Sequence, residues 1–207
     1  VKTIAKPAAS GFNKRIFSFS GFVRATDDLV AHLPDLRAAQ RGARVSRAFA
    51  ERIMLAVTQV NGCRYCSYAH ARMALQAGVT PEEISSLAAG QWQNLPEVEL
   101  MALTFAQHYA ETGGQPDSEA WQRLNQIYGA GVAREILAHI RTIMMGNLLG
   151  NTFDALLFRL TGRPTAPGST LWQELGVLLG GFVVVPLLLL KHALRRLSRR
   201  RSSDDVV

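Results

Sequence analysis

The chain has 207 residues, of which 48% are hydrophobic and 19% charged. That is enough apolar side chain for a packed core and too little charge for a disordered polymer. The 17 glycines follow no period and there are only 2 cysteines, which excludes collagen and disulfide-framed miniproteins, and no heptad pattern is sustained enough for a coiled coil.

The formal charge of +7 is concentrated at the two ends. Lys2, Lys6, Lys14, Arg15 and Arg24 stand in residues 1–24 without an acid; Lys191, Arg195, Arg196, Arg199, Arg200 and Arg201 stand in residues 191–207 against Asp204 and Asp205. The middle is slightly acidic, so no nucleic-acid partner is expected. The ends suit an anionic lipid surface.

Residues 1–25 read as a basic arm interleaved with Phe12, Phe17, Phe19 and Phe22, without the apolar run of a signal peptide. Residues 26–162 are helical in pattern throughout, with Gly, Pro and Asn at the breaks, so the fold class is all-α. The start and stop signals place helices at about Asp27–Gln40, Ser46–Val60 (stopped by Asn61-Gly62) and Cys63–Ala77. Thr80-Pro81-Glu82-Glu83 supplies a cap, a first-turn proline and first-turn acids for a helix ending near Gly90. Pro96 opens a helix to about Glu111, and Asp117 or Ser118 caps another through Tyr128. Val132 to about Leu160 forms one long helix, or two joined near Gly146 or Gly150.

Residues 163–170 read as a linker and 171–190 as an apolar, membrane-associated helix, followed by the basic tail 191–207. Leu175 to Leu190 carries no charge, and the longer run from Leu171 spans roughly 30 Å, the thickness of a bilayer core. Trp172 and Lys191 stand at its edges as interface anchors. The other reading is a helix buried in the domain or in an oligomer interface. The basic residues after the run favour a cytoplasmic C-terminus, and no export signal precedes the domain. A re-entrant or interfacial segment reconciles the two, with a cytoplasmic domain associated with the cell membrane.

Both cysteines fall in the stretch Glu51 to Val79. Cys63 and Cys66 stand three apart where a helix begins, and His70 follows four residues later; at about 100° per residue all three share one stripe. The free N–H groups of a helix start stabilise a thiolate. The tight Asn61-Gly62 turn lets the preceding helix pack antiparallel, so that Glu51 can face His70, fix its tautomer and complete a proton relay. A zinc site made of Cys63, Cys66, His70 and Glu51 and plain burial of two unreactive cysteines are the alternatives. His108 and His139 read as surface or hydrogen-bonded core residues.

The pattern Glu, eleven residues, Cys-x-x-Cys, three residues, His-Ala resembles the alkylhydroperoxidase D-like proteins of the carboxymuconolactone decarboxylase family, over about residues 26–160. The resemblance implies an all-helical, homo-oligomeric protein. Its cysteine pair would reduce hydroperoxides or a partner peroxiredoxin and be re-reduced by a dihydrolipoyl group or another dithiol. It implies no tightly bound cofactor and no metal. Cys66 would form the sulfenic acid, Cys63 would be its proton donor and resolving partner, and His70 with Glu51 the relay. In the best-studied branch a histidine precedes the second cysteine; here that residue is Tyr65. A phenol titrates at about 10 and is no base at neutral pH, so its expected role is a hydrogen bond to the thiolate or peroxide. The alternatives are a decarboxylase-like enzyme acting on a small acid and a non-enzymatic membrane-bound adaptor.

Overall fold

The computed structural model describes residues 11–42, 44–92 and 95–204. The basic residues Lys2 and Lys6 and the acid Asp205 lie outside the described residues, as do the side chains of Arg199, Arg200 and Arg201. Among the described residues there are eight helices and no strand, as the all-α reading expects: α1 Phe19–Ala31, α2 Leu33–Gly42, α3 Arg47–Asn61, α4 Arg64–Gln76, α5 Pro81–Ala88, α6 Glu97–Glu111, α7 Ser118–Leu160 and α8 Leu171–Asp204.

Helix α3 is the centre of the domain and packs against α4, α5, α6 and α7. Ile53, Ala56 and Val57 are fully enclosed there with Leu103 and Phe105 of α6 and Ile136 and Ile140 of α7. Because α3 is covered on most sides, its polar residues are buried too and must find partners inside. Arg52 meets Glu83 of α5 at 2.8 Å and Glu99 of α6 at 3.2 Å, which ties three helices through one guanidinium. The expected N-cap at Thr80 is present, and Glu83 closes it into a capping box.

The N-terminal part differs from the sequence reading in its helix bounds. A single helix from Asp27 to Gln40 was expected, but α1 starts at Phe19 and breaks at His32 before α2. Pro34 accounts for the break: it has no N–H to continue the ladder and its ring crowds the preceding turn. Residues 11–25 pack on the domain: Phe12, Phe17 and Phe22 are buried, Phe17 N–H donates to Thr152 Oγ1 and α1 packs on α7 and α8. Alternating bulky aromatics with basic residues gives this segment one face to bury and one to solvate.

Helix α7 changes direction at Gly129, where φ is 74°, and runs on without a break at Gly146 or Gly150. The segment 163–170, expected as a linker, is a packed turn: Ala166 is buried with Phe12 and Ala155, and Arg159 donates to the Ser169 carbonyl. Helix α8 extends well past the apolar run to Asp204, since nothing in Lys191 to Leu197 stops it. Its first turns belong to the domain, with Glu174 and Val177 fully enclosed and Arg159 paired to Glu174 at 2.8 Å.

Candidate functional site

The site is built around the turn from α3 to α4. Gly62 closes α3 in the left-handed region (φ 65°), donating to the Thr58 carbonyl, and Cys63 becomes the N-cap of α4. The Cys63 sulfur takes the place a serine hydroxyl usually fills: it accepts the Cys66 N–H at 3.3 Å. Cys63 is fully buried, Cys66 is partly exposed, and both are free thiols.

Their proton is unevenly shared. The Cys66 thiol donates to the Cys63 sulfur and, with the N–H groups of Cys66 and Tyr65 and the charge of Lys14, lowers the Cys63 thiol to about 7 against the effect of burial. Cys66 is pushed up, because its proton serves the bond to Cys63, it is desolvated, and ionising it would set a second negative charge beside the first. Near neutral pH the pair is poised to lose one proton, and the charge that forms rests on the helix cap, beside a thiol that still holds its own.

Glu51 and His70 come together as the sequence spacing expects. Glu51, buried in α3, accepts from His70 Nδ1 at 2.8 Å. That bond makes Nε2 the basic ring nitrogen. His70 follows Cys66 by one helical turn and so neighbours it on the same face of α4.

Tyr65 does something other than expected. Its hydroxyl donates to Asp154 Oδ1 of α7 at 3.1 Å and accepts from Arg64 at 2.8 Å, so it is held in an ionic cluster rather than offered to the thiols. The same carboxylate pairs with Lys14 at 2.8 Å and with Arg64. Burial raises the Asp154 carboxyl, but Lys14, the Tyr65 hydroxyl and Arg64 outweigh it and hold the group below its ordinary value. The cluster pins the start of α4 to α7 and brings the Lys14 charge to Cys63.

Three site residues escaped the sequence reading: Lys14, Asp154 and Gly150. A Cβ on Gly150 would stand 2.7 Å from the Cys63 sulfur and 3.8 Å from that of Cys66, so only glycine lets α7 pass this close to the pair. Its position inside a helical pattern is the signal: the sequence offers one long helix or a joint near Gly146 or Gly150, and the structure uses Gly150 for a close approach inside the unbroken helix.

The remaining histidines stand elsewhere. His108 pairs with Asp117 at 3.0 Å, and His192 with Asp27 at 2.7 Å. Burial lowers the His139 imidazole against the charges of Glu135 and Glu51, which keeps it neutral at pH 7. Among the described residues no three His, Cys, Asp or Glu side chains converge as a metal site.

Residues 27–91 match the model of the carboxymuconolactone decarboxylase family, which includes the alkylhydroperoxidase D-like proteins. The resemblance is shown over this segment. No curated protein and no solved structure matches the chain. The matched segment contains Glu51, Cys63, Cys66 and His70, while Lys14, Gly150 and Asp154 reach the thiol pair from outside it.

Proposed function

We propose that the chain is a thiol-dependent oxidoreductase that reduces a hydroperoxide, or the disulfide of a peroxiredoxin, through Cys66 and Cys63. The observation that carries this reading is the placement of the pair: the buried Cys63 sulfur caps α4 and accepts the Cys66 N–H, the more accessible Cys66 stands one turn on, and the Glu51–His70 pair shares its face of the helix.

In the first step Cys66 passes its proton to Cys63, and the resulting Cys66 thiolate attacks the distal oxygen of the hydroperoxide. The O–O bond breaks, Cys66 becomes a sulfenic acid, and the alkoxide takes the proton from Cys63 and leaves as an alcohol. Cys63 is again a thiolate. In the second step it attacks the Cys66 sulfur, forms the disulfide and expels hydroxide, which leaves as water with a proton delivered by the His70–Glu51 pair. An external dithiol, of the dihydrolipoyl or a similar class, then reduces the disulfide and is oxidised in its place.

The test is a peroxide reductase assay with dihydrolipoamide, together with thiol titration. Two thiols per chain should disappear on peroxide treatment and return with the donor. Cys66→Ser should reduce turnover to background, whereas Cys63→Ser should undergo one oxidation and stop at a trappable sulfenic acid. Peroxide-treated wild type without an intramolecular Cys63–Cys66 disulfide would refute the reading.

A further inference from the structure

Helix α8 has two unlike sides. One is fastened to the domain by charged contacts at both ends of its apolar run: Glu174 to Arg159 at 2.8 Å, and Lys191 and His192 to Asp27 of α1, each at 2.7 Å. Between them Gly180 faces α1, where a Cβ would come within 3.1 Å of the Phe19 ring. The other side carries Trp172, Leu179, Phe182, Val183, Leu187 and Leu190, all exposed, with Trp172 at 81% and Phe182 at 82%. At 100° per residue these fall within an arc of about 140°. Leu171–Arg196 has a mean hydropathy of 2.1 in its most apolar part, and little of that part is buried.

An exposed apolar face of this length marks a binding surface. Its charges indicate the occupant. From Leu175 to Ser203 the sequence has no acid, and the run ends in Lys191, Arg195 and Arg196, followed by Arg199, Arg200 and Arg201. A second copy of this face brings no negative group to meet that cluster; an anionic lipid surface does.

We propose that α8 lies in the plane of an anionic bilayer, its exposed face among the acyl chains and its other face roofed by α1, with the helical domain on the side of the membrane where both basic ends lie. The apolar run matches the roughly 30 Å of a bilayer core in length, so the fastenings at its two ends, not its length, decide against a span. Crossing the membrane would break both ionic fastenings or draw Asp27, Asp28 and Arg24 of α1 into hydrocarbon. This inference stands independently of the redox chemistry.

The test is flotation of the full chain with sealed vesicles of phosphatidylcholine containing phosphatidylglycerol. The chain should float, brominated acyl chains should quench a fluorescence component absent from Trp172→Phe, and protease added outside should still remove the basic tail. Phe182→Asp/Leu187→Asp/Leu190→Asp should lower the bound fraction by about a hundredfold or more while keeping the helical circular dichroism. A tail protected by the vesicle means a spanning helix and overturns the in-plane mode. Unquenched Trp172, a triple variant that binds like the parent, or self-association without flotation overturns the membrane surface altogether.

Discussion

Helices α4 and α8 are both held by a narrow face, yet the chain uses them in opposite ways. Of the thirteen residues of α4 only Ala74 is buried, and its importance lies at its N-terminus, where Cys63 caps the helix and Lys14, Asp154 and Tyr65 lock the first turn to α7. Helix α8 has no titrating group in its middle, and its exposed side chains are large and apolar. The first helix presents an electrostatic device at one end, the second a surface along its whole length. A substitution should therefore act sharply by position on α4 and additively by area on α8, and the variants below test where that division fails.

Beyond the cysteines themselves, the largest effect is expected from Gly150→Ala. The added methyl would stand 2.7 Å from the Cys63 sulfur, so either that thiol or α7 must shift. A displacement near 1 Å in a reacting group costs about a hundredfold in rate. Peroxide turnover should fall by about that factor, and overpacking beside the buried sulfur should cost about 1–3 kcal/mol in unfolding. A variant with normal turnover would mean that the close approach is irrelevant to the chemistry.

Next is Arg159→Ala, which leaves the enclosed Glu174 with only Ser169 and Thr165. Removing one partner of such a pair, with the arginine itself partly solvated, should destabilise the domain by about 2 kcal/mol in urea unfolding. If stability is unchanged, the first turns of α8 are not part of the domain, and the linker reading of residues 163–170 returns.

Glu51→Gln should lower turnover about tenfold near pH 7, and less above pH 9. The sign follows from the direction of transfer. The pair delivers the proton that the departing hydroxide needs; as pH rises that proton becomes scarcer for wild type too, so its advantage over the variant shrinks. Equal loss at every pH would make the Glu51–His70 bond structural.

These residues were not equally legible. Glu51, Cys63, Cys66 and His70 lie within twenty positions of one another, and helical periodicity with one tight turn is enough to bring them together. Lys14 and Asp154 are 140 positions apart, and their meeting depends on the N-terminal segment folding back along α7, which is driven by burial of Phe12 and Phe17 rather than by any local signal. Tyr65 was legible as a departure from the family pattern but not in its role, since the Asp154 that captures its hydroxyl arrives by the same long-range packing. Helix α8 was readable in composition. That its first turns join the core was not, because the apolar residues that pack on α1 and those that face outward look alike in sequence.

The smallest effect is expected at Lys14. Its charge contributes least among the influences that lower the Cys63 thiol to about 7, and its side chain is partly exposed, so the interaction is screened. Lys14→Met should move the Cys63 midpoint upward and slow peroxide reduction roughly threefold at pH 7, with no difference at a pH well above the midpoint. The sign is that of an acid losing a nearby positive charge: the thiolate becomes less favourable, so a larger fraction of Cys63 is protonated and unable to accept the proton of Cys66. Thiolate absorbance in the far ultraviolet, titrated in both chains, reads the shift directly. Lys14→Arg separates charge from packing, because it keeps the positive group beside Asp154 and should restore the midpoint. High salt should narrow the gap between wild type and Lys14→Met. If the methionine variant titrates like wild type, Lys14 serves only to hold the N-terminal segment against α7, and the electrostatic device at the start of α4 consists of the helix end and the thiol pair alone.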